Sequence, residues 1–341
     1  MNVDDELQAT IRRLVQPGKG ILAADESLPT IGKRFAAVGV ESTPENRRAY
    51  RSMLFRTPGV EAFISGVILF EETLAQRDDS GTPLPEVLAR AGIVPGIKVD
   101  QGKVPLAHSP GDEVTQGLDG LAARLRTYRE LGARFAKWRE VYKIGPRNPS
   151  PLAIEANAEV LARYAAVCQE EALVPIVEPE VLIDGDHTME RCEEAIDEVL
   201  HAVYRALHRH RVVLENTLLK PSMVLPGKQH KGKATPDEVA AATLRVLKRN
   251  VPAAVPGINF LSGGQGPEEA TANLNAINAR YPTAPWALSF SYGRALQDTP
   301  MKAWAGNPGN AMIAQRAFYR RARLNGLARN GAYDPRMEGE D

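Results

Sequence analysis

Four apolar, strand-like runs in this chain each carry one polar residue near the C-terminal end. These residues, Lys98, Lys137, Glu178 and Lys220, recur at intervals of 39, 41 and 42 positions. An interval of that length holds one strand, one helix and two loops, and repeated β/α units set successive strand ends on one side of a parallel sheet. Three lysines and a glutamate are therefore expected at one mouth. A lysine among apolar neighbours is costly unless paired or functional, so the pattern points to amine-based chemistry.

The same reading extends to eight strands: Gly20 to Asp25, Phe63 to Phe70, Gly96 to Asp100, Arg134 to Tyr142, Val174 to Val181, Thr217 to Met223, Gly257 to Ser262 and Trp286 to Tyr292. Helical patterns lie between them, several with legible starts. Thr43 stands before Pro44, Thr235 and Glu238 form a capping box around Pro236, and Gly266 precedes Pro267 and two glutamates. Eight strands alternating with helices predict an α/β fold, a single-domain closed (β/α)8 TIM barrel, in preference to an open doubly wound sheet. An open sheet would want a G-x-G-x-x-G turn after an early strand, and the first strand runs instead into Asp25-Glu26-Ser27. The barrel is expected over residues 1–330, with 331–341 a polar, mobile tail. Leu28 to Ser42 and Gln101 to Gly120 read as long connections at the face where a barrel keeps its chemistry.

Composition narrows the function. Lys+Arg and Asp+Glu balance at 42 each, which argues against a nucleic-acid or membrane-surface partner. No segment approaches a membrane span and the first fourteen residues lack an apolar signal core, so the expected address is cytoplasmic. The two cysteines, Cys168 and Cys192, fall on apolar helix faces and read as core thiols. The six histidines are scattered, and His201 and His208 read as solvated helix residues, so no metal is expected.

Residues two apart on a strand share a face, so Glu178 pairs with Glu180 and Lys137 with Arg139. A lysine amine with its ordinary pKa near ~10.4 is almost wholly protonated at neutral pH. An amine nucleophile therefore needs cationic neighbours or partial burial. Lys220 follows Leu218 and Leu219, precedes Pro221 and is expected to face Lys137 across the barrel. A structural ion pair with Glu178 or Glu180 explains Lys220 equally well at this level. Phosphate handling is the second signal, because barrels commonly bind phosphate at the loops after strands seven and eight. Those loops read Leu261-Ser262-Gly263-Gly264-Gln265-Gly266 and Ser291-Tyr292-Gly293-Arg294. Glycines admit an anion to the backbone, Ser262 and Ser291 add hydroxyls, and Arg294 offers a planar fork of donors. Leu261 to Gln265 also spells the signature of ATP-binding cassette proteins, but no G-x-x-x-x-G-K-[ST] phosphate loop accompanies it.

Taken together, these segments resemble the Schiff-base, class I fructose-bisphosphate aldolases. The match runs in order through Gly18-Lys-Gly-Ile-Leu-Ala-Ala-Asp-Glu-Ser27, Gly66-Val-Ile-Leu-Phe70, Gly96-Ile-Lys-Val-Asp100 and Phe135-Ala-Lys-Trp-Arg139. It continues through Val177-Glu-Pro-Glu180, Leu218-Leu-Lys-Pro221, Leu261-Ser-Gly-Gly-Gln265 and Phe290-Ser-Tyr-Gly-Arg294. The resemblance implies a barrel that reversibly cleaves fructose 1,6-bisphosphate to dihydroxyacetone phosphate and glyceraldehyde 3-phosphate in glycolysis and gluconeogenesis. It implies no cofactor and a homotetramer. It places Lys220 at the Schiff-base lysine, Glu178 at the general acid/base, Glu180 at the carboxylate near the imine, Lys137 at the assisting cation and Asp25 at the C4 hydroxyl. It assigns Ser262, Gly263, Gly293 and Arg294 to the C1 phosphate and Ser27, Lys98 and Arg139 to the C6 phosphate end.

Two departures from the family pattern stand out. Many members carry a serine soon after the Asp-Glu-Ser segment, where this chain has Leu28-Pro29-Thr30, leaving Thr30 or an altered loop in its place. Animal members end in a tyrosine, whereas this sequence ends Met337-Glu-Gly-Glu-Asp341, and Tyr333 is not given that role. Competing readings are a sugar-phosphate-binding barrel that has lost turnover and another imine enzyme such as a transaldolase, which would not require two phosphate sites.

Overall fold

The structure, a computed structural model, describes residues 2–339. Eight parallel strands close into a barrel in sequence order: β1 (Gly20–Ala24), β2 (Ile64–Leu69), β3 (Val94–Lys98), β4 (Phe135–Tyr142), β5 (Val174–Val181), β6 (Leu218–Leu219), β7 (Gly257–Phe260) and β8 (Ala287–Tyr292). The ring closes where Ile21 and Leu22 of β1 pair with Ser291 and Tyr292 of β8. Helices cover the outside, because strands buried on both faces need apolar cover on the outer one. In the long helix Met189–Arg209, for example, Ile196, Val199, Leu200, Val203 and Leu207 are all buried. Among the described residues no helix is long and apolar enough to cross a membrane.

The floor of the barrel is a separate apolar layer. The helix Val3–Leu14 buries Leu7, Ile11 and Leu14, which pack with Ile21, Ile68, Val94, Phe135, Val174, Ile176 and Leu218. Asn2 and Asp5 form a capping box at its start, and Arg12 and Arg13 lie in its last turn, where they suit the helix dipole. The Phe135 ring fills the ring of strands so completely that a Cβ on Gly96 would lie 2.3 Å from it. Only glycine fits there.

Several expected boundaries shift, each for a local reason. The sixth strand, expected over Thr217 to Met223, pairs as a strand only at Leu218–Leu219. Lys220 donates one more backbone bond to Val177 O at 2.8 Å, and then Pro221 has no N–H to continue. The Ser222 hydroxyl takes over, bonding Val181 N and O at 3.0 and 2.9 Å. The third strand begins at Val94 instead of Gly96. The stretch Leu28 to Ser42, expected as a connection, contains a helix, Leu28–Ala36, with Pro29 in its first turn and Ile31 and Phe35 on its buried face. Within Gln101 to Gly120, Lys103–Pro105 and Glu113–Thr115 form a short antiparallel ribbon.

The helix starts stand where the caps place them. Thr43 Oγ1 accepts from Asn46 N, Thr235 and Glu238 cap reciprocally, and Glu269 accepts from Gly266 N. Cys168 and Cys192 are unbridged and fully buried, and burial pushes the Cys192 thiol up to about 11. Residues 331–339 lie against the helix Ala311–Arg329, where Arg321 grips both oxygens of Glu338 at 2.6 Å and Tyr333 Oη donates to Glu338 at 3.0 Å. Glu340, Asp341 and Met1, the outermost positions of the expected tail and domain, lie outside the described residues.

Truncating the floor tests its contribution. Phe135→Ala is expected to cost about 3–5 kcal/mol, read as a lowered urea midpoint with an unchanged slope.

Candidate active site

At the C-terminal ends of the strands, one cavity is lined by all thirteen residues singled out in the sequence: Asp25, Ser27, Lys98, Lys137, Arg139, Glu178, Glu180, Lys220, Ser262, Gly263, Ser291, Gly293 and Arg294. The strand register explains the convergence. Lys98 pairs with Lys137 between β3 and β4, and Arg139 pairs with Glu178 between β4 and β5. Lys137 and Glu178 are the third and fifth residues of eight-residue strands, so β4 and β5 continue beyond them and raise one wall of the mouth. That placement corrects the expectation that each polar residue stands near its strand's end.

The centre of the cavity is a chain of charges. Lys137 Nζ lies 2.8 Å from Asp25 Oδ2 and 3.0 Å from Glu178 Oε2. The other oxygen of Glu178 lies 3.0 Å from Lys220 Nζ. Lys137, Glu178 and Lys220 are each at most 5 % exposed, so little water screens these contacts. Burial alone would push Lys137 towards its neutral form, but Asp25, Glu178 and Asp100 together outweigh it and raise its pKa above the ordinary lysine value. Burial likewise pushes Asp25 and Glu178 up. The charges of Lys137 and Lys220 win at both, and hold both carboxyls below their usual range.

These partners separate the three lysines of the mouth. Lys137 faces three carboxylates, and Lys98 stands 3.1 Å from Asp100 with a side chain three times as exposed as that of Lys220. Among the described residues Lys220 has a single ion-pair partner, Glu178, which it shares with Lys137. Lys98 likewise has one partner, shared with Lys137, so what sets Lys220 apart is a single shared carboxylate combined with near-complete burial. Glu180 instead pairs with Arg139, whose Nε lies 2.5 Å from Oε2.

The anion-binding features flank this centre. Gly263 and Gly264 take left-handed backbone conformations, φ +55° and +91°, which turn the chain tightly beside Ser262. Gly293 and Arg294 open the helix Arg294–Trp304 on the neighbouring strand's end. Ser291 Oγ is buried without a hydrogen-bond partner in the protein, as expected of a group kept for a ligand. Ser27 Oγ and Thr30 Oγ1 lie 3.0 Å apart beyond the end of β1, the strand next to β8, and both line the cavity.

Two residues of the mouth went unrecognised in the sequence. Asp100 bridges Lys98 and, at 3.8 Å, Lys137. The rule that put Arg139 beside Lys137 also puts Asp100 beside Lys98, so the signal was present. Arg34 lines the cavity and is held by Glu26 at 2.5 Å, with Gln297 donating to the same oxygen at 2.7 Å. Its only sequence signal lay in a stretch read as a loop.

Glu140 stands directly behind this wall. It is fully buried, accepting from Trp138 Nε1 at 2.8 Å and Thr115 N at 3.1 Å. Burial pushes its carboxyl from an ordinary 4.5 up to about 8, although both donors favour the charged form. A proton kept by the folded chain and released by the unfolded one makes stability fall as pH rises between these values. Unfolding free energy is expected to drop between pH 5 and 8 by an amount on the order of 4 kcal/mol. Glu140→Gln is expected to flatten that slope, as measured by urea unfolding at the two pH values. The lowered carboxyls, Asp25 and Glu178, act in the opposite sense and at lower pH, losing their contribution as pH falls through the acidic range.

Comparison with known proteins finds a family model, described as glycolytic fructose-bisphosphate aldolase class-I, matching residues 6–341. A non-muscle fructose-bisphosphate aldolase of Lethenteron camtschaticum is 56 % identical over 331 residues, covering 97 % of this chain and 91 % of the relative. The cytoplasmic isozyme of Spinacia oleracea is 55 % identical over 337 residues, covering 99 % of this chain and 94 % of that one. A solved structure of fructose-bisphosphate aldolase from Plasmodium falciparum, in complex with TRAP and a small-molecule inhibitor, superposes with a TM-score of 0.96. It is 50 % identical, and the match covers 97 % of this chain and 96 % of that one.

Proposed function

Because the chain belongs to the class I fructose-bisphosphate aldolase family, we propose that Lys220 is the amine that forms the Schiff base and that the Asp25–Lys137–Glu178 chain moves the protons this requires. The chain is a glycolytic lyase of fructose bisphosphate, and membership of class I makes it metal-independent. The observation that carries the assignment is that Lys220 is buried with a single shared partner, set against the three carboxylates around Lys137 and the greater exposure of Lys98.

Lys220 attacks as a neutral amine, and Glu178 Oε1 at 3.0 Å is the group to which its proton passes. Nitrogen adds to the C2 ketone, the carbonyl oxygen is protonated and leaves as water, and the product is a protonated imine. That imine is an electron sink. When the C3–C4 bond breaks, its electron pair moves toward the iminium and leaves an enamine instead of an unstabilised carbanion. The C4 hydroxyl proton leaves to Asp25 as the aldehyde forms. Asp25 is charged but a weak base while Lys137 holds it, so the proton gains from the onward contacts at 2.8 and 3.0 Å to Lys137 and Glu178. Reprotonation at C3 and hydrolysis then free the second product and Lys220. Glu180 holds Arg139 in place beside this centre.

The two ends of the substrate are fixed by unlike sites. Ser262, Gly263, Ser291, Gly293 and Arg294 form the C1 phosphate site in this proposal, and the unpartnered Ser291 hydroxyl supports it. Ser27, Lys98 and Arg139 receive the C6 phosphate, with Thr30 supplying the hydroxyl that its 3.0 Å contact to Ser27 positions. Holding both ends aligns C2 with Lys220, which converts binding into orientation. We extend the proposal to the homotetramer the resemblance implies, to be read by sedimentation. The cytoplasmic name of the Spinacia oleracea relative supports the same address for this chain.

Borohydride reduction in the presence of dihydroxyacetone phosphate is expected to attach a three-carbon phosphate to Lys220, located by peptide mapping. A label on another residue, or none, rejects the assignment. Glu178→Gln is expected to lower kcat by roughly 10²–10⁴-fold, and chelators are expected to leave activity intact. If both phosphate sites act, kcat/KM for the 1,6-bisphosphate should exceed that for the 1-monophosphate, and Lys98→Gln should narrow the difference.

A further inference from the structure

The loop after β6 carries a lysine that the chemistry above does not use. Its backbone is pinned to the loop after β5: Gly227 N donates to His187 O at 2.9 Å, Lys228 N to Ile183 O at 2.8 Å and Gln229 N to Gly185 O at 2.8 Å. With three adjacent amides tied down, the Cα of Lys228 is fixed and only its side chain is free to search. That side chain reaches the glycine turn of the mouth. A Cβ on Gly264 would lie 2.6 Å from Lys228 Nζ and 3.3 Å from Arg294 Nη2. Two cations thus converge on one point beside bare backbone, Arg294 from the lining of the mouth and Lys228 from its outer lip.

Their charges are poorly compensated. The carboxylate nearest Lys228 is Asp184, 3.4 Å away with a side chain 69 % exposed, and such a contact contributes little. Among the described residues Arg294 has no carboxylate at salt-bridge distance. Like charges this close repel, and an anion between them turns the repulsion into attraction. Gly264, in the left-handed region, has no side chain, which lets the Lys228 ammonium lie against its backbone.

We propose that Lys228 is a specificity-determining residue that joins Arg294 at the C1 phosphate and favours the phosphate dianion. This rests on the placing of the C1 phosphate at Ser262–Gly263 and Gly293–Arg294 given above. Lys228 does not line the cavity that holds Lys220, and in this proposal it acts equally on ground and transition states. Its contribution therefore falls on substrate affinity and leaves the chemical step alone.

Steady-state cleavage of fructose 1,6-bisphosphate and borohydride trapping with dihydroxyacetone phosphate test this together. Lys228→Gln is expected to raise KM, and the concentration of dihydroxyacetone phosphate giving half-maximal labelling, by about three- to fivefold. It should leave kcat and the final extent of labelling unchanged, and Lys228→Arg should restore both affinities. Lys231→Gln, which removes a neighbouring charge from the same loop, should shift neither. Unchanged affinities in a Lys228→Gln protein that still labels overturn the proposal alone, and so does an equal shift in Lys231→Gln, which would indicate a diffuse field. Absence of label in the unsubstituted protein overturns the imine chemistry, and this proposal with it.

Discussion

The carboxylate of Glu178 is held from both sides, one oxygen by Lys137 and the other by Lys220. Burying three ionic groups together is unfavourable unless each finds close partners, and removing one leaves the others stranded at a cost of about 3–5 kcal/mol. The rest of the mouth can be understood as meeting that requirement. Asp25 and Asp100 add negative charge around Lys137, so its ammonium is fully committed. Lys220 is left with half a partner, and a nucleophile needs that freedom. The ion pairs that stabilise the mouth and the inequality that makes it reactive are one arrangement.

Such an arrangement requires strands that do not slip. Phe135, Lys137 and Arg139 alternate along one face of β4, with the ring in the apolar floor, the ammonium at the centre of the cavity and the guanidinium at its wall. A shift of one residue would place Trp138 in the cavity and Lys137 among the helices. The packing of Phe135 against the glycine of the neighbouring strand therefore fixes the height of the catalytic ammonium.

Much of this was legible in the sequence because it depends on period and spacing. The recurrence of Lys98, Lys137, Glu178 and Lys220 predicted one mouth, and alternation placed Arg139 and Glu180 on the same face as their neighbours. What escaped depends on contacts between segments distant in the chain. The length of the sixth strand turns on Pro221 and on the Ser222 hydroxyl bonding across to Val181. Arg34 was hidden because Leu28–Ala36 is short and begins with Leu-Pro, a pattern that reads as loop until Ile31 and Phe35 find a core to enter. Sequence spacing could not decide whether Lys220 was a structural partner or a nucleophile. The proposed answer rests on the burial of Lys220 and on the one carboxylate it shares with Lys137, both set by strands distant in the chain.

Trp138 is one of three tryptophans in the chain, and its indole donates to Glu140 at the back of the strand that presents Lys137 and Arg139. An indole whose N–H bonds a group titrating near neutrality emits differently as that group gains or loses its proton. The wall of the barrel thereby carries its own optical gauge, reporting from behind the cavity without a dye, a label or any contact with what occupies the front.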